Sequence, residues 1–146
     1  MKAKLVLLLL LVGSLVTTNY NGVQAQNTPS DKQAIAMIRE FYTAYITGWA
    51  KQPPTLDDMR KIEALKKRYC TASLLKKIDA QVRPEADPFI FAQDIDTEWL
   101  KTMSVKKDVR KFNSYIVSYL SYPNSKTIIH LTVIKQGDKF KIMAIR

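Results

Sequence analysis

The 146-residue chain contains a single cysteine, Cys70, so no disulfide can close within it and packing has to hold the fold. Its neighbours Arg68, Tyr69 and Thr71 offer no metal or redox spacing, which predicts a buried, inert thiol. There is one histidine, His130, and any His–Asp or His–Cys chemistry has to pass through it. Four scattered glycines make no phosphate-cradling loop and no nucleophile elbow, and no paired metal motif occurs. After the N-terminal segment there is no second long apolar run, so none of the remaining chain is expected to cross a membrane.

Hydrophobic residues make up 47% and charged residues 25%, a balance that sets the chain among ordinary folded domains rather than disordered or fibrous ones. The first 25 residues form a separate pattern. Lys2 and Lys4 precede the apolar run Leu5 to Val12, and Val23-Gln24-Ala25 places small residues at −3 and −1. This reads as a cleavable signal peptide over 1–25, followed by one domain over 26–146. Polar Thr17, Thr18, Asn19 and Asn21 stop the run short of a bilayer span. Gln26 stands where a lipid-anchored protein would need a cysteine. The expected location is therefore the periplasm or the outside of the cell.

Of 23 basic residues two lie in the leader, leaving 21 against 13 acidic ones in the domain, about +8. The charges are dispersed, with Lys66-Lys67-Arg68 and Arg110-Lys111 among the densest groups, and no base-reading motif accompanies them. Nucleic acid is not the expected partner. Solubility explains the balance, with anionic lipid, acidic polysaccharide or an acidic protein as the partners that fit the compartment.

The order of elements follows from periodicity. Ser30 with Gln33 matches a capping box, and Ile35, Ile38, Tyr42, Tyr45 and Trp49 recur at helical spacing with Phe41 and Ile46 beside them. Thr55 and Asp58 open a second helix carrying Met59, Ile62, Leu65 and Tyr69; a third, with Leu74, Leu75 and Ile78, ends before Arg83-Pro84. Strand-like sequence then takes over: Trp99 to Val105, Phe112 to Tyr122 with Tyr115, Val117 and Tyr119 alternating, Lys126 to Lys135, and Phe140 to Ala144 after a Gly137 turn. Helices followed by strands predict an α+β fold, three helices on a curved antiparallel sheet of about four strands.

This arrangement resembles the nuclear transport factor 2-like, cystatin-like fold. The set Tyr69-Cys70-Thr71 with Leu74-Leu75, Asp87-Pro88-Phe89 with Ala92-Gln93-Asp94, Lys101, Leu131-Thr132-Val133 and Phe140-Lys141-Ile142 resembles the exported bacterial family called domain of unknown function 3828. The resemblance spans nearly all of residues 26–146. It implies an envelope location and a conical cavity, and supplies no catalytic residue.

The most distinctive segment runs from Asp87 to Glu98, with Asp87, Asp94, Asp96 and Glu98 in twelve residues. A calcium loop would need more oxygen ligands and a sharp turn, so metal is not expected. Asp87 before Pro88 predicts a capped turn, Asp94 and Asp96 are expected to accept from backbone amides, and Phe89 and Phe91 to anchor the loop. Read as a site, Trp49 stands at a cavity mouth, and Tyr115, Tyr119, Asp87, Asp94, Asp96 and His130 are the other candidate ligand-binding residues. The expected function is a non-enzymatic binding module for a small ligand or an envelope protein, with no cofactor. Two alternatives stay open: a small hydrolase or isomerase using His130 with Asp94 or Asp96, and an immunity-type inhibitor.

Overall fold

The computed structural model describes residues 27–81, 85–121 and 125–146; residues 1–25, read from the sequence as a signal peptide, lie outside them. Helices come first and strands after. The order is α1 (Pro29–Trp49), α2 (Leu56–Tyr69), α3 (Ala72–Asp79), the short α4 (Trp99–Thr102), then β1 (Ser104–Lys107), β2 (Ser114–Ser121), β3 (Ser125–Gln136) and β4 (Lys139–Ile145). The strands form one antiparallel meander in the order β1-β2-β3-β4, with the helices packed on it, which is the α+β architecture that the patterning predicts.

α1 begins two residues earlier than the Ser30–Gln33 pattern suggests. Thr28 is the cap: its hydroxyl accepts from the Asp31 amide at 3.1 Å, while the Asp31 carboxylate accepts from the Thr28 amide at 3.1 Å. Pro29 decides between the overlapping patterns, because a residue without an N–H fits the first helical position, where that donor has no partner anyway. α1 buries Ala34, Ile38, Phe41, Tyr42, Tyr45 and Ile46. Phe41 and Tyr42 meet edge to face at 5.3 Å, and Phe89 closes over Phe41 and Tyr45. α2 starts on the Thr55–Asp58 box and lies close to α1 at Gly48, where a Cβ would sit 3.2 Å from Cγ1 of Ile62.

The helical layer is fastened to β4. Lys141 Nζ donates to the carbonyls of Lys67 and Arg68 at 2.9 and 2.5 Å, supplying a cation and donors where α2 leaves its last carbonyls unpaired. At the α2–α3 junction Cys70 makes a single parallel bridge to Ile142, and the Thr71 amide donates to the Ile142 carbonyl at 2.9 Å. Cys70 is buried as expected, and that burial pushes its thiol up to about 12.

The inner sheet face is read by alternation: Val105, Tyr115, Val117, Tyr119, Ile129, Leu131, Val133 and Ile142 are all buried. Val133 pairs with Ile142 and Thr132 with Ala144, so Met143 has no opposite residue and forms a bulge in the edge strand. Two further expectations fail. Trp99 to Thr102 is a helical turn rather than the start of a strand, because Asp96 Oδ1 accepts from the Glu98 amide at 2.8 Å and the amides of Trp99 and Leu100 turn back on Asp96 and Thr97. Phe91 is 43% exposed rather than an anchor, since its φ of 54° turns it out of the core that holds Phe89.

Candidate functional site

Asp87 organises the loop between the two halves of the chain. Its Oδ1 accepts from the amides of Phe89 and Ile90 at 2.8 and 3.2 Å, the capped turn that Asp-Pro predicts, and its Oδ2 accepts from the Tyr45 hydroxyl at 2.6 Å. The turn closes where the Phe91 amide donates to the Asp87 carbonyl and the Asp87 amide to Ala92. Burial first, and the Asp87 charge and hydrogen bond second, push the Tyr45 phenol well above its ordinary range, so it remains a donor. The Tyr45–Asp87 bond spans 42 residues and ties the loop to the C-terminal part of α1.

Around this anchor lies a cleft of about 470 Å³ lined by Trp49, Gln52, Pro54, Asp87, Gln93, Asp94 and Ile95. It brings together three of the candidate residues, Trp49, Asp87 and Asp94. Trp49 is half-buried at the end of α1, its ring edge-on to Tyr45 at 6.5 Å, and its Nε1 has no hydrogen-bond partner among the described residues. Asp94 is exposed, and no backbone amide donates to its carboxylate among the described residues, contrary to the expectation for it. The wall carries two carboxylates, two primary amides and an indole, with no basic side chain.

The other four candidates lie elsewhere. Asp96 is exposed and holds the α4 turn. The Tyr119 ring stacks on Trp99 at 5.0 Å and its hydroxyl donates to the Ile90 carbonyl, so it fills core rather than lining a cavity. The Tyr115 hydroxyl donates to Asp31 at 2.8 Å, and Lys107 Nζ bonds the same carboxylate at 2.9 Å while lying 4.6 Å above the Tyr115 ring. Partial burial opposes ionisation of Asp31, yet the bonds from Lys107, Thr28 and Tyr115 outweigh it and hold the carboxyl well below the usual range. This fixed triad went unread in the sequence, because its members are up to 84 residues apart.

His130 faces away from the core on β3, opposite Ile116. Its pocket, about 270 Å³, is lined by Lys111, Phe112, Ser114, Leu131, Thr132 and Arg146, with no carboxylate side chain. The His130–Asp94 and His130–Asp96 pairings are therefore not made. An open groove of about 780 Å³ runs between α1 and α2 past Thr43, Thr47 and Ile62, but the charges on its rim other than Arg39 already pair, as Lys51 does with Asp58 at 3.1 Å, and Arg39 donates to the Met103 carbonyl. Among the described residues no group of three His, Cys, Asp or Glu side chains gathers to hold a metal, and no helix is long and apolar enough to cross a membrane.

No family model and no curated protein sequence matches the chain, so the resemblance to domain of unknown function 3828 stands on its residues alone. Among solved structures, the chain is similar to a protein of unknown function from Bacteroides thetaiotaomicron. The two share 29% identity with a TM-score of 0.68, over 79% of this chain and 89% of that one. The likeness supports the α+β arrangement and brings no activity with it.

Proposed function

We propose that the chain is an exported, non-enzymatic binding module of the nuclear transport factor 2-like type, and that it holds a small amine-bearing ligand in the Trp49–Asp87–Asp94 cleft. One observation carries this reading: the cleft wall has two carboxylates and an indole with no basic side chain, in a chain with 23 basic and 13 acidic residues. An ammonium group meets an aromatic face by cation–π attraction and a carboxylate by a charge-assisted hydrogen bond. Asp94 is the exposed carboxylate that such a group would reach, while Asp87 has most of its acceptor capacity committed to Tyr45 and two amides.

Two measurements test the proposal. Titration with primary and quaternary amines, followed through Trp49 emission, is expected to saturate, and Asp94→Asn is expected to weaken binding by about tenfold. No saturable response, or a response unchanged in Asp94→Asn, removes the amine site. Export is tested separately by the intact mass of the protein from the envelope fraction, which is expected to start at Gln26; a mass retaining Met1 to Ala25 overturns that part.

A further inference from the structure

The face of the sheet turned away from the helices carries side-chain charge of one sign. The four strands contain no aspartate or glutamate, and the register sorts their basic residues between the two faces. Lys107, opposite Tyr115, lies on the inner face. Lys106 is opposite Ile116, Lys126 opposite Leu120, and Arg146 exchanges main-chain bonds with His130, so these three belong to the outer face. Lys106 and Arg146 stand at its two edges with Ile116 and His130 between them. Neither these three nor Lys111 forms a side-chain ion pair among the described residues, unlike Lys107 with Asp31 and Arg110 with Asp108. The negative group beside them is the main-chain carboxylate of Arg146, which accepts from the His130 amide at 2.8 Å. It offsets one of these cations and leaves the others. Asp138 sits at the tip of the β3–β4 turn, beyond Gln136 and Lys139.

The same face exposes apolar side chains. Leu120 and Ile128 are 43% and 47% exposed on it, and Phe112, in the β1–β2 loop, is 90% exposed. Phe112 and Lys111 share the recess lined by His130, Thr132 and Arg146, which puts the loop at the margin of the face. The loop is pinned: buried Asp108 accepts from the Arg110 amide, its own amide donates to Ser114, and the Asn113 carbonyl accepts from Val133 while Asn113 takes a left-handed φ of 52°. A ring held in water by a fixed turn contributes nothing to the core, and it suits a partner that buries it. We infer that the outer face docks on an anionic phospholipid surface, with Phe112, Leu120 and Ile128 entering the interfacial layer and Lys106, Lys111, Lys126 and Arg146 meeting the headgroups. Basic side chains are drawn to such a surface, and aromatic ones settle at its boundary. The recess beside His130, about 270 Å³, is below the size of ordinary small-ligand sites. A second copy of the chain fits the face poorly, because it would bring cations against cations. The amine cleft shares no residue with this face, so either reading can fail alone.

The test is co-sedimentation with vesicles of phosphatidylcholine mixed with phosphatidylglycerol, against vesicles of phosphatidylcholine alone. The protein is expected to bind the mixed vesicles and to bind the neutral ones much more weakly. Lys106→Gln and Lys126→Gln are each expected to weaken binding about fivefold, and Phe112→Ser about tenfold. Lys76→Gln and Lys77→Gln remove the same charge from α3 and are expected to bind nearly as the parent does. All five residues are exposed, and an unchanged urea midpoint shows that each variant folds. The inference is overturned if the mixed vesicles are not bound, or if Phe112→Ser binds them as the parent does. It is equally overturned if the α3 variants lose as much as the sheet variants, which would make net charge the cause. A dimer that forms without lipid and is disrupted by Ile128→Lys would give the face to a second copy instead.

Discussion

Asp87→Ala separates a structural anchor from a binding group, and its cost can be worked from three hydrogen bonds. Two go to backbone amides in the turn, and losing such a cap costs about 1 kcal/mol. The third is the acceptor of the Tyr45 hydroxyl, on a side chain only 2% exposed, and a buried donor without a partner costs about 1–3 kcal/mol. The substitution should therefore destabilise by about 2–4 kcal/mol. Tyr45→Phe removes the donor as well, so in that background Asp87→Ala should cost only the capping part, about 1 kcal/mol. Urea denaturation of the four proteins in the cycle measures the coupling, expected at about 1–3 kcal/mol. A coupling near zero would refute the anchoring role. A stabilised Asp87→Ala would go further, since carboxylates kept for a ligand commonly cost the empty protein stability.

The two neighbouring acids should behave differently: Asp96→Ala should lower stability by about 0.5–1 kcal/mol because it removes the acceptor of the Glu98 amide, whereas Asp94→Ala should be neutral or slightly stabilising. Equal losses in urea melts would contradict this split. Cys70 should resist thiol reagents at pH 8 until the protein unfolds, given a thiol pushed up to about 12; rapid labelling of the native protein would show the junction to be open. Acid should weaken the fold in a defined window. Asp31 and Asp58 titrate below the ordinary carboxylate value of about 3.9 in the folded state, Asp58 at about 2, held down by Thr55 first and Lys51 next. Their contribution is complete above that value and is lost as pH falls toward 2, so urea midpoints should drop between about pH 4 and 2. Asp31→Asn should flatten that drop, and an unchanged slope would count against the Lys107–Tyr115 triad.

Much of the fold is legible because burial imposes periods on the sequence. Tyr115, Val117 and Tyr119, and Ile129, Leu131 and Val133, alternate because one face of each strand meets the core. The Thr55–Asp58 box fixes the start of α2 because its signal is local. Trp99 misleads, since an aromatic residue suits a strand as well as a helical turn, and what decides is the turn that Asp96 holds at the Glu98 amide together with a ring stacked on Tyr119. Phe91 misleads for a different reason: a left-handed φ leaves no trace in the sequence when the residue is not glycine. The candidate site divides the same way. Asp87 is readable from the proline that follows it, while its union with Trp49, and the placing of His130 among Lys111, Thr132 and Arg146, depend on sheet register and loop path.

The fastening of Cys70 and Thr71 to Ile142 bears on the order in which the molecule can assemble. A chain is made from its N-terminus, so α1 to α3 exist long before the strand that secures them. Until β4 is added, α2 lacks Lys141 at its last carbonyls, Thr71 lacks the acceptor at residue 142, and the inner face of β3 has no neighbour on one side. Contacts of such sequence separation slow folding. The end of α2 and the α2–α3 junction thus stay unfastened until β4 exists, so the helical layer and the last strand are locked in one step.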